Sequence, residues 1–348
     1  MSNSSTVLVL GATGGIGGEM ARLLLARGWQ VRAMKRGLGV ARQQQGGMEW
    51  VEGDALKAAD VMAAAQGCSV IVHAVNPPGY RRWAEWVLPM IDNTIAAAQA
   101  HGATVVLPGT VYNYGPDAFP LIAEDAPQNA HTAKGRIRVV LEQRLATAVQ
   151  AGRMRAIVVR AGDFFGPRAG NNWFSQGMLK PGRAVGTVYT PAAPGVGHQF
   201  AYLPDVARTM ADLLNCRETL PAFASFHMAG HWDATGTALA EAVQRVVVRR
   251  GGTAPAIKPF PWWLVRLASP FVATFRELLG MRYLWREPVR LDNQRLLQHL
   301  GHEPHTPLDE AVEATLVGLG CLPKAAQPSV PLGHPDKDAH IRVQGARA

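Results

Sequence analysis

A chain of 348 residues that is 48% hydrophobic and only 18% charged can bury a sizeable core, which excludes intrinsic disorder as a global description. The formal net charge of +9 raises nucleic acid as a partner, but the cations are scattered. Arg81/Arg82 and Arg249/Arg250 are only pairs, and no basic stripe is interleaved with aromatics, so the pattern argues against nucleic acid and for a basic surface with an anionic small ligand. Cys68, Cys216 and Cys321 lie far apart without CxxC spacing, which predicts reduced thiols and no metal site. No apolar stretch is long enough for a membrane span and no signal-peptide pattern opens the chain, so a cytoplasmic location is expected.

In chain order, residues 7–10, 30–35, 70–74, 104–107 and 155–160 read as strands, four of them continuous apolar runs. Helical patterns at 16–27, 60–65, 91–100 and 134–151 lie between them. Strands alternating with helices predict an α/β fold, a doubly wound parallel sheet. Beyond Gly162 comes a Gly/Pro/Asn-rich stretch to Gly197, then a helix at 206–214, a strand at 223–228 and a helical region over 235–319. This half reads as a smaller, mainly helical C-terminal substrate lobe. Residues 1–161 are expected to form the dinucleotide-binding core, completed by 200–230. Residues 162–199 and 231–323 are assigned to the lobe, and 324–348 to a flexible tail. The aromatic segment 259–285 carries Arg266, Arg276 and Arg282, as a membrane-surface helix would. Pro259, Pro261 and Pro270 break it, which favours a cleft cap or a dimer contact.

Directly after the first strand, Gly11, Thr13, Gly14, Gly15, Ile16 and Gly17 form a G-x-x-G-x-x-G run that opens a helix. Such a turn lets backbone N–H groups meet a pyrophosphate at the helix N-terminus. The acid that accepts the ribose 2′-hydroxyl of NAD normally ends the second strand. Here Lys35 and Arg36 stand there, which predicts NADP(H) in preference to NAD(H), with Arg36 on the 2′-phosphate and Lys35 second. Asp54 and Ala55 follow a further short strand that precedes the run at 70–74, Asp54 placed to accept from the adenine amino group. His73, Ala74 and Asn76 lie at the end of the strand at 70–74, at the ligand edge of the sheet, where His73 reads as packing.

Together with Thr110-Val111-Tyr112-Asn113-Tyr114-Gly115, Arg160 through Pro167 and Phe200 through Ala207, these features resemble the extended short-chain dehydrogenase/reductase superfamily, its NAD(P)-dependent epimerase/dehydratase group, from about Val7 to Leu319. The resemblance implies a Rossmann sheet, an NADP-dependent oxidoreductase or epimerase/dehydratase, and a small-molecule carbonyl or hydroxyl substrate. It also implies helix pairing across a homodimer, for which the helix near Lys134 is the candidate. The family's Y-x-x-x-K signature is altered. The trailing Glu142 and Leu145 fix a register that puts Lys134 at the tyrosine and Arg138 at the lysine.

In this register Thr110 orients the substrate oxygen and Arg138 donates to the ribose. The proton falls to Lys134, through a pKa lowered by burial and Arg138, or to His131. Tyr112 and Tyr114 are alternative phenols. Tyr112, Asp163, Asn171, Asn172, Trp173, His198, Gln199 and Tyr202 fall in the substrate loops. Their amides suit a nucleotide sugar, whereas the tryptophan-rich 259–285 suits a more hydrophobic carbonyl compound. The altered signature leaves a second reading, a catalytically silent NADP(H)-binding regulator or redox sensor.

Overall fold

The structure, a computed structural model, describes residues 5–77 and 82–323; the tail expected at 324–348 lies outside the described residues. Strand β1 (Thr6–Leu10) sets the layering. Side chains alternate along a strand, so Val7 and Val9 enter one apolar core while Leu8 and Leu10 enter another on the opposite face. Around it β2 (Gln30–Lys35), β3 (Arg42–Gln45), β4 (Met48–Glu52), β5 (Val70–His73), β6 (Thr104–Gly109), β8 (Arg155–Arg160) and β12 (Phe223–His227) complete an eight-stranded sheet. Its order is β12-β8-β6-β5-β1-β2-β4-β3. Every pairing is parallel except β3 against β4.

Helices α1 (Gly15–Ala26) and α5 (Leu203–Asn215) cover the Val7 face. The Leu8 face is covered by α2 (Ala58–Ala65), α3 (Trp83–His101) and α4 (Ala133–Gln150). The strand order reverses at β1, the position at which sheets of this class leave a crevice at their carboxyl ends.

Three smaller sheets build the rest. β9 (Asp163–Phe165), β11 (His198–Tyr202) and β13 (His231–Asp233) form one, so the segment at 198–202 is not part of the main sheet, although the helix that follows it packs there. β10 (Thr187–Thr190) pairs with β14 (Ala256–Pro259), and β7 (Leu121–Ile122) with β15 (Arg290–Leu291). The expected helical region 235–319 is interrupted by these strands. It holds α6 (Ala238–Arg249), α7 (Trp262–Ala268), α8 (Ala273–Gly280), α9 (Gln294–Leu300) and α10 (Leu308–Gly318). The prolines that break the apolar periodicity there stand where chain direction changes.

Two further differences have local causes. Helix α3 starts at Trp83, eight residues before the apolar pattern predicts, because Pro89 sits early in the helix and masks the first turns. The strand β3 has an exposed, glutamine-rich sequence without apolar alternation, and it forms as the antiparallel edge partner of β4.

At the carboxyl ends of β6 and β8, where α4 passes, the interior turns polar. Arg160 is fully buried and its Nη2 donates to Glu142 Oε2 at 2.8 Å, while Nη1 donates to Thr110 O at 2.6 Å. Gln128 Nε2 donates to the same carboxylate at 3.0 Å while its Oε1 accepts from Asn113 Nδ2 at 3.0 Å, and Thr110 Oγ1 donates to Asn113 Oδ1 at 3.2 Å. Arg160 Nε donates to His227 Nε2 at 3.2 Å, so the His227 proton sits on Nδ1, facing Ile122 O at 3.3 Å. Breaking a buried pair leaves an uncompensated charge, so Glu142→Ala should lower unfolding free energy by about 3–5 kcal/mol in urea titrations.

Burial, reinforced by nearby arginines, pushes His73 and His227 down to about 3; burial and His305 push His231 down to about 4. The ordinary value is 6.5, so below it the unfolded chain binds protons that these buried rings refuse. Stability is therefore full above pH 6.5 and falls as pH drops toward 4, by up to about 1.4 kcal/mol per pH unit for each histidine. Urea midpoints measured from pH 7 to pH 4.5 check this, and His227→Gln should reduce the slope by about one proton.

Candidate functional site

The carboxyl ends of β1, β2, β4 and β5 open onto a cavity of about 350 Å³ lined by Gly11, Thr13, Gly14, Lys35, Arg36, Asp54, Ala55, Ala74 and Asn76. A second cavity of about 140 Å³ shares Ala74 and Asn76 with it and runs on to Ile16, His73, Thr110, Tyr112, Arg138 and Asn171. Together they make one groove from the glycine loop to the end of β6.

Gly11 has φ of +88°, and a Cβ there would lie 2.5 Å from Ala74 O. A Cβ on Gly17 would lie 2.3 Å from Gly11 O, so the helix can approach the strand only as glycine. Gly15 packs beneath Leu203. No side chain caps the N-terminus of α1 and its first turn holds no acid, which leaves N–H groups and partial positive charge for an anion.

Arg36 is exposed, with the Asp54 carboxylate 3.9 Å away. Asp54 is partly committed, since its Oδ1 accepts from Leu56 N at 3.0 Å. The Lys35 ammonium lies 5.2 Å from the centre of the Trp50 ring, turned toward the sheet edge. Glu52, at the end of β4, accepts from the backbone N–H of Gly37 at 2.9 Å and from that of Leu38. These bonds hold its carboxyl below the ordinary range and shape the turn after Arg36.

At the far end Arg138 is buried, and its Nη2 donates to Asn76 Oδ1 at 3.1 Å. Its Nε is buried without a hydrogen-bond partner among the described residues. Burial lowers its pKa, with Glu142 and Tyr112 opposing. A buried, unpaired donor on the wall of a groove fits a hydroxyl-bearing ligand such as a ribose. The uncapped helix, the glycine approach and this donor together fit a dinucleotide.

Lys134 stands apart from this groove. Its Nζ pairs with Glu277 of α8 at 2.9 Å, and burial lowers its pKa against the opposing pull of that carboxylate. It lines a different cavity of about 300 Å³, with His131, Arg276 and Glu277. Side chains on a helix lean toward its N-terminus, so a long lysine in the first turn of α4 reaches past the helix end, away from β6. Trp83 connects the two places: its ring centre is 5.4 Å from the Arg138 guanidinium and 5.8 Å from the Lys134 ammonium.

Of the residues expected to meet substrate, Tyr112 and Asn171 line the groove. The others are held by the lobe itself. Asn172 Oδ1 accepts from Ser175 N at 2.8 Å and its Nδ2 donates to Ala169 O at 2.9 Å. Trp173 packs among Phe260, Trp262 and Trp285. Asp163 Oδ2 is 2.6 Å from His198 Nε2, whose ring stacks on Trp285 at 3.7 Å. Gln199 is buried, bonding to Met228 O at 2.9 Å and Leu291 N at 2.8 Å. Tyr202 is buried beside Phe165, and burial with Asp205 pushes its phenol up to about 12. Tyr114 is likewise buried, with the Arg160 guanidinium 5.1 Å from its ring centre.

Trp83, Trp86, Met34 and Pro77 also line the groove and were not foreseen. The pair of tryptophans three apart at the start of α3 was the available signal.

The profile of the NAD dependent epimerase/dehydratase family matches residues 7–215. An uncharacterized protein of Sinorhizobium fredii, y4nL, is 29% identical over 185 residues, 47% of this chain and 52% of that protein. The chain thus spans about half the length of the curated relative that it matches. A crystal structure of UDP-glucose 4-epimerase from Brucella ovis in complex with NAD superposes with a TM-score of 0.69 at 17% identity, covering 91% of this chain and 98% of the other. The complex of the Thermus thermophilus UDP-glucose 4-epimerase with NAD gives 0.65 at 21% identity, covering 90% and 98%. At these identities the likeness carries the fold. The family match covers more than half of the sequence, and on that ground the chain belongs to the NAD dependent epimerase/dehydratase family.

Proposed function

We propose that this protein is an NADP(H)-dependent oxidoreductase or epimerase/dehydratase-like enzyme acting at a carbonyl or hydroxyl carbon of a small molecule. The observation that carries this is the continuous groove, with the glycine loop at one end and Thr110, Tyr112 and Arg138 at the other. Gly11, Thr13, Gly14 and the first N–H groups of α1 would hold the pyrophosphate, Arg36 the 2′-phosphate, and Arg138 with Asn76 the nicotinamide-side ribose. The bound dinucleotide would accept or supply hydride. Arg36 in place of an acid supports NADP(H); the named structural relatives hold NAD, and NAD(H) remains a second cofactor.

Within this reading Thr110 Oγ1 orients the substrate oxygen, and the Arg160–Glu142–Gln128–Asn113 chain keeps it in place. Tyr112 supplies or takes the proton, because it lines the groove with Arg138, whereas Lys134 and His131 border another cavity. Arg138 cannot shuttle that proton, since a guanidinium stays protonated. A nucleotide sugar, the substrate class named for the structural relatives, is the first to test, with aldehydes and ketones beside it.

The Lys134–Glu277 pair favours a second reading, a dinucleotide-binding regulator without turnover, because it ties up the side chain at the family's tyrosine position.

Arg36→Ala should weaken NADPH binding about tenfold and leave NADH binding unchanged, as loss of a charge-assisted phosphate contact of about 1.5 kcal/mol requires; titration calorimetry reads both. In a substrate screen by NADPH absorbance, Tyr112→Phe should lower kcat by about a hundredfold with KM nearly constant. Loss of turnover in Lys134→Met with Tyr112→Phe still active returns the proton to Lys134. Tight NADPH binding with no turnover on any substrate class establishes the regulator.

A further inference from the structure

Nine large hydrophobic side chains are exposed among the described residues, and five of them, Trp263, Leu264, Leu267, Phe271 and Val272, lie on α7 and the turn into α8. Phe271 is 88%, Leu267 68% and Trp263 67% exposed. The other side of α7 is anchored: Trp262 and Val265 are buried in the lobe core, and Trp262 Nε1 donates to Pro191 O at 2.9 Å. The hairpin therefore holds an apolar face outward on a fixed base.

Beside this face, Arg266, Arg282 and Arg286 line an open cavity of about 530 Å³, in which Glu287 is the one carboxylate among the lining residues. The Arg282 guanidinium lies 5.1 Å from the centre of the Trp262 ring. Burial lowers its pKa, and the charges of Arg286 and Arg266 lower it further, so the three cations repel one another. Convergent guanidiniums next to protruding Trp, Leu and Phe combine anion binding with apolar insertion, the pairing that holds interfacial helices on membranes.

We propose that the α7–α8 hairpin docks this protein on an anionic phospholipid surface. Trp263, Leu267 and Phe271 enter the boundary between headgroups and acyl chains, and Arg266, Arg282 and Arg286 receive the lipid phosphates. The attachment is peripheral, since α7 and α8 are 7 and 8 residues long and no helix among the described residues is long and apolar enough to cross a membrane. A second copy fits poorly, because a two-fold contact through this face would set the arginine cluster against itself. Residues 324–348 fit poorly too: Lys324, Lys337, Arg342 and Arg347 outnumber Asp336 and Asp338, so the segment shares the sign of the patch. The surface is also coupled to the fold, since Glu277 of α8 holds Lys134 at the mouth of α4.

Sedimentation of the full chain with vesicles of equimolar phosphatidylglycerol and phosphatidylcholine, against pure phosphatidylcholine, tests the proposal. Three arginines at the surface should favour the anionic vesicles by about a hundredfold, and high salt should abolish the difference. Arg266→Glu with Arg286→Glu, and separately Trp263→Ser with Phe271→Ser, should each lower anionic binding about tenfold or more while the thermal midpoint holds. Equal binding to both vesicles, no sedimentation, or binding indifferent to either double variant overturns it. So does a concentration-dependent dimer that both double variants dissolve, which makes the face a self-interface. Polyglutamate binding that matches the vesicles and ignores Trp263→Ser with Phe271→Ser also overturns it, in favour of an acidic protein.

Discussion

The buried pair between Arg160 and Glu142 is the constraint on which the groove depends. Arg160 ends β8, Glu142 lies midway along α4, and the guanidinium also reaches the carbonyl of Thr110 and the ring of His227 at the end of β12. One side chain thus ties two parallel strands, a helix and the loop after β6. Gln128 bonds to the same Glu142 carboxylate and Asn113 to Gln128, so both amides are positioned along with the pair. Thr110 inherits its orientation from this chain of bonds.

From that anchor the chemistry divides within the first two turns of α4. Arg138, one turn before Glu142, lines the groove and keeps a buried Nε without a hydrogen-bond partner among the described residues. Lys134, one turn earlier still, passes beyond the helix end and joins α8. Their spacing of four residues along the helix therefore goes with different partners, the groove for Arg138 and α8 for Lys134. The tryptophan at the start of α3 lies within cation–π distance of both, so the lobe and the groove share a wall.

The lobe uses its polar residues for itself. The Asp163–His198 contact, the Gln199 amide and the Asn172 turn satisfy buried backbone and side-chain groups among small sheets that have few ladder bonds of their own. Of the residues expected to meet substrate, Asp163, Asn172, His198 and Gln199 bond within the lobe, whereas Tyr112 and Asn171 line the groove. The tryptophans divide similarly: Trp173, Trp262 and Trp285 form a core, while Trp263, adjacent to Trp262 in sequence, is turned outward by the helical period.

The sequence by itself determined the alternating strands and helices of the first 160 residues, the glycine loop with its missing acid, and the Glu142–Arg160 motif pieces. Each of these is a local pattern, set by side-chain period, glycine's access to positive φ, or charge type at a strand end. Only the tertiary structure decided which of the convergent-looking side chains meet. Whether Lys134 or Tyr112 shares a cavity with Thr110, whether Gln199 faces ligand or backbone, and which aromatics of 259–285 are buried depend on contacts between residues dozens to more than a hundred positions apart. Local spacing carries no record of those distances, because they are fixed by how the packed layers close on one another.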